Sequence, residues 1–210
     1  MLEELNKNKL PTAILYSFRR CPFAIRARLA LLSAKIPVII REISLKNKPS
    51  ELKSISNKAT VPCLKTFSKT IPESLEIMSW ALSQNDPEGL LNFPSSGLDL
   101  IEFNDGPFKT SLDRTKYNSR YDYVDLNVDY KLANEFLTQL DVRLKNPFIM
   151  GERKSLVDLA LFPFIRQYAF IDKARFDNKN WRNLSKWLNS FLNSEAFLSA
   201  QRKYPIWQPG

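Results

Sequence analysis

With 210 residues, 44% of them hydrophobic and 12% aromatic, the chain can bury the core of one large domain or two small ones, which excludes a disordered protein. It has two cysteines and no histidine, which excludes a disulfide scaffold, zinc sites built on imidazole and catalysis by a histidine base. The net charge of +9 lies almost entirely in residues 1–80, where 14 Lys/Arg face 6 Asp/Glu.

The first half of the chain alternates strand and helix patterns, which predicts a small α/β unit. The predicted strands cover residues 13–17, 37–43 and 61–67, with a brief fourth strand near Thr70, and the predicted helices cover residues 22–34, 49–56 and 73–82. A strand-helix-strand start requires a parallel pair with a right-handed crossover, so that the helices cover the sheet. We therefore expect the order βαβαββα in a first domain of residues 1–82.

The first predicted helix begins directly after a cysteine, in the sequence Arg20-Cys21-Pro22. Proline suits the first turn of a helix because it has no N–H group to leave unpaired, so Cys21 is expected at the helix N-terminus. Free backbone N–H groups and the helix dipole favour the thiolate there, which is the reactive form of cysteine. The apolar face of this helix is expected to carry Ile25, Leu29 and Leu32, with Arg26 and Arg28 off it.

Basic residues flank this cysteine, as Arg19-Arg20 before it and Arg26 and Arg28 after it. Positive charge there stabilises a thiolate and attracts small anions, and an ordinary basic surface is an equally good interpretation. The net charge also raises the possibility of nucleic-acid binding, but the sequence has no recognition-helix motif, zinc ligands or aromatic RNA-binding strand pattern. We therefore expect no nucleic-acid partner.

Turn-forming residues are concentrated in residues 83–97, which predicts a linker. Beyond it the strand patterns fade and helical periodicity dominates, which predicts an all-α helical bundle over residues 98–210. Ser155 and Asp158 have the spacing of a capping box at the start of an apolar helix over residues 159–170. This pair is more typical of a structural role than of a catalytic one.

The apolar runs are far shorter than a membrane span, and residues 1–7 lack the charge order and apolar core of a signal peptide. We therefore expect a cytoplasmic protein without a membrane partner. With two cysteines and no histidine, we also expect no metal cofactor.

Three separated signatures occur in one order along the chain. They are Arg20-Cys21-Pro22-Phe23-Ala24, Thr60-Val61-Pro62 and Pro72-Glu73-Ser74-Leu75-Glu76-Ile77. Together they resemble the glutathione S-transferase superfamily, in particular its cysteine-type members: the omega class and the bacterial two-domain glutaredoxins. The resemblance implies a thioredoxin-like N-terminal domain, an α/β fold, followed by an all-α helical-bundle C-terminal domain.

The same resemblance implies a glutathione site. Val61 precedes what should be a cis proline, Pro62, and in the family the backbone of this valine pairs with the cysteinyl part of glutathione. Glu73 is expected to meet the γ-glutamyl ammonium, and Ser74 its carboxylate. Lys48 matches a family lysine that faces the glycyl carboxylate, although a plain surface lysine is as good an interpretation.

The resemblance, together with a departure from it, predicts a mechanism with one thiol. Ala24 stands where a dithiol glutaredoxin has its second cysteine, so no disulfide can form within the motif. Cys63 is interpreted as a small core residue in preference to a resolving thiol. Cys21 is then the nucleophile, with glutathione as co-substrate, in the reduction of glutathione mixed disulfides, dehydroascorbate or glutathionyl adducts.

The second partner is expected to be a small-molecule or protein-thiol acceptor between the two domains, beside Phe108, Tyr117 and Tyr121. Core packing explains these three aromatic residues equally well. An alternative function is a non-catalytic, glutathione-transferase-like module that binds a protein, although such relatives typically lack a cysteine at the helix N-terminus. The resemblance also implies a homodimer.

Overall fold

The computed structural model describes residues 13–121 and 125–209, so the N-terminal residues considered for a signal peptide lie outside it. The chain forms two compact units. The first unit comprises residues 1–88 together with 195–210, and the second comprises residues 89–194. The chain passes from one unit to the other inside the predicted linker, between residues 88 and 89.

Within the described residues, four strands of the first unit form a mixed sheet in the order β2-β1-β3-β4. The strands are β1 (Ala13–Ser17), β2 (Ile39–Glu42), β3 (Cys63–Thr66) and β4 (Thr70–Ile71). The helices between and after them are α1 (Pro22–Ser33), α2 (Ser50–Ile55) and α3 (Ser74–Gln84). β1 pairs parallel with β2 and antiparallel with β3, and β4 pairs antiparallel with β3, which confirms the predicted thioredoxin-like fold.

The side chains on the two faces of β1 contact different helices, because successive side chains along a strand point to opposite faces. Tyr16 is buried in a cluster with Leu52 of α2 and with Cys63, while the next residue, Ser17, bonds to Arg28 of α1. α1 and α3 pack against each other. β1 therefore ends between two helical layers, directly before the turn that carries Cys21.

Arg26 and Arg28 are buried, which differs from their expected position off the apolar face of α1. Only 2% of Arg26 and 4% of Arg28 is exposed. Each guanidinium has polar partners inside the fold: Arg26 donates to Ser74, and Arg28 forms an ion pair with Glu42. Burial of a cation is tolerated where such partners replace water, and those partners lie too far away in the sequence for helical periodicity to indicate them.

The second unit is helical throughout its described elements, as predicted. A long helical stretch is formed by α4 (Ser96–Phe103), a π-helical turn (Asn104–Phe108) and α5 (Lys109–Lys116), and a 3₁₀ turn follows at Asn118–Arg120. The remaining helices are α6 (Leu126–Arg143), α7 (Leu156–Ala169), α8 (Lys173–Asp177) and α9 (Arg182–Leu192). Across the described parts of the chain, no helix is long and apolar enough to cross a membrane.

The capping box at the start of α7 is present and extends beyond the helix. One carboxylate oxygen of Asp158 accepts from the backbone N–H and the hydroxyl of Ser155 at 2.9 and 3.0 Å. The other oxygen accepts from the N–H of Ile149 and the indole N–H of Trp187, both at 3.0 Å. Burial raises the pKa of Asp158, and these four hydrogen bonds oppose the shift. The carboxylate thus joins α7, α9 and the preceding loop.

The last residues of the chain belong to the first unit, whereas the predicted helical domain extended to residue 210. The helix α10 (Glu195–Ala200) packs against α1, and residue 207 reaches the edge strand β2. Phe197 of this helix is buried. Helical periodicity predicts that a segment has an apolar face but not which core receives that face, so the sequence alone does not assign this helix to a unit.

We expect Asp158→Ala to lower the free energy of unfolding by about 3 kcal/mol, because it leaves the N–H groups of Ile149 and Trp187 buried without an acceptor. Asp158→Asn retains an acceptor for both and should cost less. Urea unfolding followed by tryptophan fluorescence measures the difference. Glu102→Ala, at an exposed position of α4, serves as the control, and equal stability of Asp158→Ala and this control would contradict the structural role.

Candidate active site

Cys21 occupies the N-cap position of α1, where the sequence predicts it. Its backbone is extended, with φ −77° and ψ 122°, and its carbonyl accepts the N–H of Ile25 at 3.0 Å. Pro22 follows at the start of the helix, and the first turn contains no acidic residue. A half-buried thiol at this position faces the positive end of the helix dipole with no nearby carboxylate in that turn to oppose it.

The thiol of Cys21 faces the segment that precedes β3. Its Sγ lies 3.6 Å from the carbonyl oxygen of Val61, as a donor to that oxygen. The peptide bond between Val61 and Pro62 is cis, which confirms the expected geometry. Two residues earlier, Ala59 has a φ of 46°, in the left-handed region that residues with a Cβ adopt at a cost of about 1–2 kcal/mol. The surrounding fold therefore holds this segment in a specific conformation beside the thiol.

Ser74 begins α3 and is 3% exposed, and its hydroxyl accepts a hydrogen bond from Nε of Arg26 at 2.9 Å. A serine hydroxyl has one proton to donate besides its acceptor lone pairs. The bond from Arg26 uses an acceptor position, so the hydroxyl proton is directed elsewhere. The helix N-terminus, the donor hydroxyl and the arginine beneath it form a position suited to a carboxylate.

Glu73 and Lys48 lie nearer to solvent. Glu73 is the N-cap of α3, and its carboxylate lies 3.5 Å from Nζ of Lys58 in an exposed ion pair of little energetic weight. Lys48 is half-buried, and no hydrogen bond or ion pair joins it to another described residue. The structure therefore brings Cys21 and Val61 into direct contact and links Ser74 to the same helix α1, but it shows no contact for Lys48.

Cys63 is completely buried in the cluster formed by Tyr16, Ile43, Leu52 and Ala59. Burial raises the pKa of its thiol to about 11. A thiol with that pKa is protonated at neutral pH, so it is a poor nucleophile. These properties agree with the interpretation of Cys63 as a core residue.

Lys58 was not identified from the sequence as part of the site, and Arg26 was noted only as one of the basic residues that flank Cys21, not as a partner of Ser74. Arg26 follows Cys21 by little more than one helical turn, and a basic residue at that spacing is the signal that indicates it. Phe108, proposed as a wall for an acceptor, is completely buried and packs against Phe136 and Tyr168. Among the described residues, no three metal-ligating side chains lie together.

Comparison with known families identifies the family to which both parts of the chain belong. Residues 15–89 match the family model described as the glutathione S-transferase N-terminal domain, and residues 126–195 match the glutathione S-transferase C-terminal domain. Together these matches cover more than half of the chain. The chain therefore belongs to the glutathione S-transferase superfamily.

Curated relatives include two proteins of Arabidopsis thaliana. Glutathione S-transferase DHAR2 is 28% identical over 188 residues, which cover 84% of each chain. Glutathione S-transferase DHAR3, chloroplastic, is 28% identical over 144 residues, 68% of this chain and 53% of the relative. The chain thus matches about half the length of the second relative.

Solved structures share the fold at lower identity. A glutathione transferase family member from Pseudomonas fluorescens with two glutathione bound has a TM-score of 0.77 and 21% identity, over 93% of this chain and 95% of that one. Glutathione transferase Omega 3C from Trametes versicolor has a TM-score of 0.77 and 19% identity, over 92% and 85%. At these identities the likeness shows the fold alone.

We expect iodoacetamide near neutral pH to label Cys21 and to leave Cys63 unmodified in the folded protein. A pKa of about 11 leaves about one part in ten thousand of Cys63 as thiolate at pH 7, and the thiol is also inaccessible. Mass spectrometry of the two cysteine-bearing peptides measures the labelling. Both peptides should be labelled in urea, and comparable labelling of Cys63 in the native protein would contradict its assignment to the core.

Proposed function

We propose that this protein is a cysteine-type glutathione S-transferase, a thiol transferase in which Cys21 is the only nucleophile. The observation that carries the proposal is the position of the Cys21 thiol, at the N-terminus of α1 and 3.6 Å from the carbonyl of Val61. A thiol at a helix N-terminus is disposed to react as thiolate. The superfamily membership supplies glutathione as the partner of that thiol, and the glutathione held by one solved neighbour supports the choice.

Glutathione binding is assigned to the residues around this thiol. Val61, beside cis Pro62, pairs through its backbone with the cysteinyl part of glutathione. Because the Cys21 thiol donates to the Val61 carbonyl in the free protein, an incoming cysteinyl N–H competes for that oxygen, and the thiol loses the hydrogen bond that favours its protonated form. The glutathione sulfur then lies on the side of the reactive thiol.

The γ-glutamyl end is assigned to α3. The Ser74 hydroxyl donates to the carboxylate, supported by the buried guanidinium of Arg26, while Glu73 meets the ammonium group. Glutathione displaces the weak pairing of Glu73 with Lys58. Lys48 is assigned to the glycyl carboxylate on the resemblance alone.

The reaction is a thiol exchange in two steps. The Cys21 thiolate attacks the glutathione sulfur of a mixed disulfide, so that a bond between Cys21 and glutathione forms and the acceptor leaves as a thiolate, which takes up a proton. A second glutathione, as thiolate, attacks the same glutathione sulfur. Glutathione disulfide leaves, and the Cys21 thiolate is restored. The two steps consume one mixed disulfide and one glutathione and yield one thiol and one glutathione disulfide.

We expect Cys21→Ser to abolish reduction of a glutathione mixed disulfide, with a loss of at least about a thousandfold, since a hydroxyl at neutral pH does not replace a thiolate nucleophile. Turnover is measured by coupling glutathione disulfide formation to a reductase. Cys63→Ala is the control and should retain turnover, because Cys63 lies in the core. Unchanged turnover in Cys21→Ser would refute the mechanism.

We expect Ser74→Ala to raise KM for glutathione by about tenfold or more with little change in kcat, because one hydrogen bond to a charged group contributes about 1.5–3 kcal/mol. Steady-state kinetics with varied glutathione measure both constants. Ser83→Ala is a matched control, since this serine is on the same helix and its hydroxyl donates to the carbonyl of Trp80 and accepts from the side-chain amide of Gln84, both in that helix. An unchanged KM in Ser74→Ala would remove Ser74 from the site.

The alternative, a non-catalytic module that binds a protein, is distinguished by two results. It requires that the wild-type protein is not retained on immobilised glutathione and that Cys21 alkylates no faster than an ordinary exposed thiol. The homodimer, the cytoplasmic location and a small-molecule or protein-thiol acceptor stay predictions. The molecular mass from sedimentation equilibrium at micromolar concentration tests whether the protein is a homodimer.

A further inference from the structure

In the turn of residues 18–21, which ends at the proposed nucleophile, the backbone N–H and the carbonyl of Arg19 are both hydrogen-bonded. The backbone N–H of Arg19 donates to Oε1 of Glu42 at 2.6 Å. The carbonyl of Arg19 accepts from the side-chain amide of Gln201 at 3.3 Å, a contact between residues 182 positions apart in the sequence. The turn itself is closed by the N–H of Cys21, which donates to the carbonyl of Phe18 at 2.9 Å. Arg19 is therefore fixed two residues before the thiol.

Glu42 is in turn fixed by a buried arginine. Its other carboxylate oxygen, Oε2, pairs with Arg28 at 2.6 Å, and the two side chains are only 10% and 3% exposed. The same guanidinium donates to the hydroxyl of Ser17 at 2.8 Å and to the carbonyl of Ala200 at 3.1 Å. Arg28 thus joins the end of β1, the end of β2 and the end of α10.

The segment from residue 200 to residue 207, here called the C-terminal segment, is anchored at its far end as well. The N–H of Trp207 donates to the carbonyl of Glu42 at 2.8 Å, and Ile206 forms a parallel bridge with Glu42. The guanidinium of Arg41 stacks on the Trp207 ring, with 3.9 Å between its carbon and the ring centroid. Gln201 is therefore held between two fixed points and not at the end of a loose tail.

We propose that the C-terminal segment is a positioning element of the active site, in which Gln201 and the Glu42 carboxylate hold Arg19 and thereby keep Cys21 at the N-terminus of α1. The proposal rests on the proposed function, since it concerns the residues that place the proposed nucleophile. Among the described residues, the side-chain amide of Gln201 bonds to the carbonyl of Arg19 and not to Cys21, Val61, Glu73 or Ser74, so its effect passes through the Arg19 carbonyl. The proposal therefore predicts that Gln201 affects the reactivity of the Cys21 thiol and does not affect glutathione binding.

The test compares Gln201→Leu with Lys203→Ala. Leucine has nearly the same volume as glutamine but no amide to donate, and Gln201 is only partly buried, so the fold should be retained. Lys203 is exposed in the same segment and serves as the matched control. Three quantities are measured in each variant: the rate of iodoacetamide alkylation of Cys21, followed by mass spectrometry, the kcat of turnover, and the KM for glutathione.

In Gln201→Leu we expect alkylation of Cys21 to slow by about fivefold and kcat to fall by a similar factor, the loss that corresponds to one ordinary hydrogen bond, while KM for glutathione stays unchanged. Lys203→Ala should match the wild type in all three. A role in stability alone would lower the midpoint of thermal unfolding without changing the alkylation rate of the folded protein. Alkylation equal to or faster than in Lys203→Ala would overturn the proposal.

Alkylation involves no glutathione, so this experiment separates the two possible failures. If the wild type reduces no glutathione mixed disulfide, the proposed function fails, and the alkylation rates still decide whether Gln201 positions Cys21. If the wild type turns over and Gln201→Leu alkylates as fast as the control, the positioning role fails and the proposed function stands.

Discussion

The buried ion pair between Arg28 and Glu42 organises the first unit. A charge placed in the interior without a partner costs about 3–5 kcal/mol, so each of these two residues requires the other. Burial lowers the pKa of the Arg28 guanidinium, and the carboxylate of Glu42 opposes that shift. Around the pair, α1, the ends of β1 and β2, the turn before Cys21 and the last helix are all joined by hydrogen bonds. The position of the thiol depends on this arrangement.

The basic residues within positions 1–80 therefore have different roles. Arg28 is neutralised by Glu42 and holds the fold, whereas Arg26 lies beneath Ser74, where it favours a carboxylate. Neither behaves as part of a general basic surface. The two residues are two positions apart on one helix, but they point to different partners because successive residues on a helix are rotated by about 100°.

The two cysteines show how position decides the chemistry of one functional group. Cys63 faces the α2 layer from β3, where apolar neighbours keep it protonated and inaccessible. Cys21 lies at a helix N-terminus, half-buried, and its thiol donates to the carbonyl of Val61. The residues on either side of the cis proline thus have different roles: Val61 contacts the proposed nucleophile, and Cys63 fills the core.

Local signals in the sequence were sufficient for the order βαβαββα, for the helix that begins after Cys21 and for the capping box at Ser155, because each depends on residues within a few positions of one another. The cis bond at Pro62 was expected from the family resemblance. The tertiary structure alone decided that residues 195–210 join the first unit, that Arg26 and Arg28 are buried, and that Gln201 reaches Arg19. Each of these features depends on residues that are far apart in the chain. Neither periodicity nor a short motif indicates which distant residue will be the partner of a buried charge. The sequence by itself predicted which thiol is disposed to react, because that depends on a short motif at a helix start, and the folded chain decided which distant residues contact the turn before that thiol.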